Sequence, residues 1–158
     1  MRHFIAALAA TVIGATVVTD AFSQSNPNML IGNRKAAMAL QGKYFGRTLA
    51  MVSGSSAYDA TLIQRNVDIL SVLAQLPWED FQPATSGLPN SKAKEDVFKE
   101  PAKFKAAIDA YQAELQKLSA SAKTADQASV TTLVKNAGKA CNSCHEAFTT
   151  IEWRLRVQ

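Results

Sequence analysis

Cysteine and histidine are nearly absent from this chain, with two of each in 158 residues. Glycine, at 7, and proline, at 5, are also sparse. One cysteine pair with one nearby histidine falls short of the four ligands a structural zinc site needs. Few glycines beside many alanines lean towards helix, and no stretch alternates apolar and polar residues long enough to suggest strands. No internal repeat is present either. The balance of 17 Lys and Arg against 13 Asp and Glu leaves only +4. The densest basic run, Lys92 to Lys105, is broken by Glu95, Asp96 and Glu100. A nucleic-acid surface wants a basic face with stacking aromatics, so no nucleic-acid partner is expected.

What is present begins with an export signal. Arg2 and His3 precede a small, apolar run from Phe4 to Val18, and Ala21 and Ser23 then form an A-x-A-like pattern. Cleavage is expected after Ser23, giving a signal peptide over 1–23 and one mature domain over 24–158. The run is shorter than the roughly 18 apolar residues of a spanning helix. Export to the periplasm, with no membrane span after cleavage, is therefore expected. Removing 1–23 takes out Arg2 and Asp20, which cancel, so the charge is unchanged.

Four amphipathic helices follow. Asn26-Pro27 opens the first, which runs to about Val52 with Ile31, Met38, Phe45, Leu49 and Val52 on its apolar face. Asp59 caps the second, with Leu62, Ile63, Ile69, Leu70, Leu73 and Leu76 on its stripe, and Pro77 stops it. Residues 77–100 form the longest connection, from which Trp78 and Phe81 should fold back onto the core. Pro101 opens the third helix, carrying Phe104, Ile108, Tyr111, Leu115 and Leu118. The fourth runs from Asp126 to about Arg154. This pattern predicts an all-α fold, an antiparallel four-helix bundle.

The chemistry lies in Cys141-Asn142-Ser143-Cys144-His145. C-x-x-C-H is the attachment pattern of c-type haem, and spacings of three and four place all three side chains on one helix face. A redox dithiol would expect a βαβ setting, and a disulfide within one turn would leave His145 unexplained. With His3 lost, His145 is the one histidine left to serve as proximal iron ligand. The sixth position is then methionine, a weaker donor such as lysine or water, or empty. Met29 lies at a helix start and Met51 near its end. Met38 is mid-helix on the apolar face, with Arg34 one turn earlier, and an arginine on such a stripe suits the anionic haem propionates.

The segments NRKAAMALQGKYFGR, YDA, LPWEDF and NAGKACNSCHEAF resemble the cytochrome c' family, the class II c-type cytochromes, along nearly the whole mature length. The resemblance implies a left-handed bundle with one covalent haem c near the C-terminal helix, and a homodimer through the first two helices. It makes Cys141 and Cys144 the thioether residues, His145 the proximal ligand and Arg34 the propionate partner, with Lys35 nearby. Met38 falls at the distal position, where gas-binding members carry a residue that cannot ligate iron. Thr149 stands where the family often has an arginine.

Function was therefore expected to be electron transfer between redox partner proteins, with His145 and Met38 as axial ligands of a low-spin iron. The alternative is an open distal site that binds nitric oxide or carbon monoxide. An enzyme such as a peroxidase would want a distal acid–base group, and no histidine remains to supply one.

Overall fold

The computed structural model describes residues 26–124 and 126–151. The expected signal peptide over 1–23 and residues 152–158, with Arg154 and Arg156, lie outside the described residues.

Four long helices carry the fold: α1 (Pro27–Val52), α2 (Ala60–Leu73), α4 (Pro101–Ser121) and α5 (Gln127–Phe148). A 3-10 turn at Pro83–Thr85 and a short α3 (Asp96–Lys99) interrupt the long connection. The helix starts follow local chemistry. Asn26 accepts from the Asn28 N–H at 2.9 Å, ahead of Pro27, whose missing donor is harmless at that position. Asp59 accepts from Leu62 N at 2.9 Å and Asp126 from Ser129 N at 3.0 Å. Gly54, at φ 77°, supplies the left-handed turn between α1 and α2.

Burial of the apolar stripes closes these helices into a four-helix bundle. Ile63, Val67 and Leu70 of α2 meet Leu115 and Leu118 of α4 and Val130, Val134 and Ala137 of α5. Each fully buried aliphatic side chain contributes about 1.5–3 kcal/mol. Neighbouring helices run antiparallel. The first turn of α4 meets the last residue of α5, with Phe104 and Phe148 centroids 5.2 Å apart. Trp78 and Phe81 do fold back, stacking at 6.1 Å and joining Phe104 in the same cluster.

Three expectations are corrected. On α1 the buried line runs through Met51, with Leu49 and Val52 only half-buried, and it includes the polar Arg34, Gln41 and Thr48 at seven-residue spacing. Hydrophobicity alone misplaced that face, because the α1 interior is partly polar. On α2 the helix stops at Leu73, since Pro77 lacks an N–H and disfavours helical geometry before it. Leu62 and Leu76 stay exposed, at 40% and 51%. Finally, α5 ends at Phe148 rather than near Arg154. Thr149 turns extended and pairs with Ala93, Lys94 N donates to Phe148 O, and Thr150 N donates to Lys92 O, both at 2.9 Å. This β-branched run gains ladder partners that a further helical turn would forgo.

Candidate functional site

The middle of α1, the first half of α4 and the close of α5 border a cavity of about 550 Å³. Cys141, Cys144 and His145 line it from α5, and Lys35, Met38, Gln41 and Phe45 line it from α1. Trp78, Ile108 and Tyr111 complete the walls, with Ile151 at the margin. A smaller cavity of about 160 Å³ shares Lys35, Met38, Trp78, Cys144 and His145 and extends towards Arg34 and Phe81. The larger volume lies within the range typical of cofactor sites.

Helical spacing accounts for the α5 wall, since positions 141, 144 and 145 follow one another around a single face. The electrostatics there favour neutral groups. Burial holds the His145 imidazole below its ordinary pKa, which keeps a nitrogen lone pair available for a metal. Burial, then the neighbouring Cys144, pushes the Cys141 thiol up to about 12. Burial raises Cys144 to about 11. A redox dithiol or thiolate metal site needs the opposite, a depressed thiol pKa. The two cysteines are unpaired with each other, and among the described residues no cluster of three or more His, Cys, Asp or Glu side chains is arranged to hold a metal ion. Two thiols and an imidazole on one helix face, all lining one cavity, fit covalent haem.

On α1 the structure separates the three methionines. Met29 is 53% exposed and Met51 is packed in the core, so Met38 is the one that reaches the cavity. Its sulfur lies 3.9 Å from Gln41 Nε2. Arg34 is 5% exposed. Its guanidinium donates to Thr85 Oγ1 at 3.1 Å and to Ser91 Oγ at 3.5 Å, and covers the Phe81 ring at 4.4 Å. Burial lowers its pKa and Asp80 opposes that shift. A buried cation on a cavity wall, hydrogen-bonded to neutral hydroxyls, keeps donors for an anion such as a propionate. Lys35 is exposed at the rim of both cavities.

Sequence reasoning missed Gln41 and Tyr111 as site residues. The Tyr111 hydroxyl donates to Gln41 Oε1 at 2.9 Å, burying a polar pair between α4 and α1. The available signal was the position of Gln41, seven residues after Arg34 and three after Met38. Thr149, where an arginine was the family expectation, caps α5: its N–H and its hydroxyl each donate to the His145 carbonyl at 2.9 Å.

The family model for Cytochrome C' matches residues 29–149. The cytochrome c' of Rubrivivax gelatinosus is 37% identical over 122 residues, covering 77% of this chain and 95% of that protein. Its crystal structure superposes with a TM-score of 0.74 at 36% identity, covering 79% of this chain and 98% of the other. Cytochrome c' of Alcaligenes xylosoxidans gives a TM-score of 0.74 at 32% identity, covering 81% of this chain and 98% of the other, in a ferrous variant with bound nitric oxide. A carbon monoxide-bound variant of that protein matches with the same TM-score of 0.74 at 32% identity, over 80% of this chain and 98% of the other. With this geometry and these matches, the chain belongs to the cytochrome c' family, whose cofactor is covalently bound haem c.

Proposed function

We propose that this chain is an exported mono-haem cytochrome that binds nitric oxide or carbon monoxide on the iron face lined by Met38. The haem supplies an iron that takes a diatomic ligand and changes between ferrous and ferric states. Cys141 and Cys144 would hold it by thioethers, His145 would offer its imidazole to the iron, and Arg34, assisted by Lys35 at the rim, would neutralise propionate charge. The observation that carries this reading is the shared cavity, with His145 on the α5 wall and Met38 on the α1 wall. The nitric oxide and carbon monoxide complexes of the A. xylosoxidans relative support the choice of ligand. Among the described residues no helix is long and apolar enough to cross a membrane. Release into the periplasm rests on the export pattern of residues 1–23. The exposed Leu40 on α1, at 43%, and Leu62 and Val72 on α2, at 40% and 65%, offer an apolar face for a homodimer.

A second reading is favoured by the sulfur of Met38, the one methionine of the three on the cavity. There the Met38 thioether would serve as an iron ligand opposite the His145 wall, and the protein would carry electrons between redox partners. Optical spectra of the reduced protein with and without carbon monoxide separate the two. A rapid spectral change on adding carbon monoxide sustains gas binding. A low-spin spectrum indifferent to the gas replaces it with electron transfer.

A further inference from the structure

We infer that Gln41 is a positioning residue for Met38, holding the thioether back from the iron through a hydrogen-bond chain that begins at Tyr111. The inference rests on the reading that the Met38 side is the ligand face. Met38 and Gln41 lie three residues apart on α1, so their side chains neighbour each other on one face. Gln41 is 6% exposed, and Tyr111, across from it on α4, is equally buried at 6%.

The direction of the chain follows from donor chemistry. A thioether sulfur only accepts, so the amide must turn its NH2 towards Met38, where Nε2 lies 3.9 Å from Sδ. Its carbonyl then faces Tyr111, whose hydroxyl must donate, as it does at 2.9 Å. Tyr111 and Cys141 line the same cavity. Once Cys141 is a thioether it has no proton to offer and is a poor acceptor. The single Tyr111 proton therefore remains on the Gln41 carbonyl, and the amide stays fixed. Three helices thus bring these side chains to one cavity: Cys141 from α5, Tyr111 from α4, and Gln41 with Met38 from α1.

A sulfur lone pair engaged by an amide N–H is a weaker and differently aimed iron ligand. Removing the amide frees it to compete with an incoming gas.

The test uses the full haem-loaded protein, reduced, and mixed with carbon monoxide by stopped flow, alongside the oxidised optical spectrum. Gln41→Leu should bind carbon monoxide roughly threefold to tenfold more slowly, the range for losing one neutral hydrogen bond. Its oxidised spectrum should gain low-spin character. Tyr111→Phe should shift both readouts the same way by less, and it keeps the test decisive if Gln41→Leu folds poorly. In a Met38→Leu background, Gln41→Leu should change nothing. Unchanged rates and spectra in both single variants overturn the inference. So does an equal effect of Gln41→Leu with Leu at position 38, which would mean that the amide acts on the gas directly. If no variant takes carbon monoxide, the gas-binding reading falls, while the spectra still judge Gln41: a low-spin gain in Gln41→Leu upholds its role and an unchanged spectrum overturns it.

Discussion

Arg34 of α1 donates from Nη1 to Thr85 Oγ1 at 3.1 Å, joining the first helix to the 3-10 turn of the long connection. Thr85 is fully buried and its hydroxyl donates in turn to Gln82 O at 2.7 Å. The guanidinium is therefore aimed by a buried hydroxyl that the long connection itself holds in place. Thr85→Val keeps the shape and removes the acceptor, leaving a buried cation with one partner fewer. The expected cost is about 1–3 kcal/mol, read by urea unfolding. Arg34→Leu should additionally lower the reduction potential, because a cation beside the haem stabilises the ferrous state. A potential unchanged by Arg34→Leu would remove the propionate role.

The aromatic cluster under the site makes a separate stability prediction. Phe148, 6% exposed, closes α5 against Phe104, with Trp78 and Phe81 behind. Phe148→Ala should cost about 3–5 kcal/mol, the usual range for an aromatic truncated in a core. Thermal and denaturant melts of the haem-loaded protein measure it.

Why some of this was legible in the sequence is a matter of local against tertiary causes. Pro27, Asp59, Pro101 and Asp126 act through their own neighbours, so the helix starts could be read directly. The motif at Cys141–His145 was equally local, because one helix carries all three side chains. Ends were harder. Nothing near Phe148 announces that Thr149 will pair with Ala93, a residue more than fifty positions away in the chain. Gln41 was invisible for a related reason: a buried polar residue is intelligible only once its partner, Tyr111 on another helix, is known. Arg34 could be singled out because a charge on an apolar stripe stands out, whereas a glutamine there does not.

Acid should weaken the start of α5. The Ser129 backbone N–H and then the Ser129 hydroxyl hold the Asp126 carboxyl below its ordinary 3.8. A depressed folded pKa means stability that is present above 3.8 and lost as pH falls through the lower folded value. Asp126→Asn keeps a capping oxygen without the charge. The stability difference between the two proteins should hold at neutral pH and shrink as the medium is acidified below the ordinary carboxylate value. Denaturation at a series of pH values checks this. A difference that does not vary with pH would show that the charge contributes nothing there.

The exposed apolar side chains of α2 give a prediction about assembly. Leu62 and Val72 are 40% and 65% exposed on a helix whose other side is sealed in the core. Leu62→Asp with Val72→Asp should leave the monomer fold intact, since neither side chain is buried. Sedimentation should then show a dimer for the unmodified protein and a monomer for the double variant. Unchanged sedimentation would place the dimer contact elsewhere or remove it.

The remaining prediction concerns position 38, where the two functional readings part. Leucine and methionine are similar in volume, and such swaps usually cost less than about 1.5 kcal/mol, so Met38→Leu should fold. Leucine has no lone pair to compete with a gas at the iron. Displacing a competing ligand worth ~1.4 kcal/mol is a tenfold effect. Where the thioether holds the iron, carbon monoxide should therefore bind the ferrous variant about tenfold faster than the unmodified protein. Where the thioether is bound in the resting protein, the same substitution also turns a low-spin spectrum high-spin. Where Gln41 holds the sulfur off the iron, the spectrum stays as it was and the rate rises by less. Equal rates in the two proteins would mean that the sulfur on the α1 wall has no part in ligand entry.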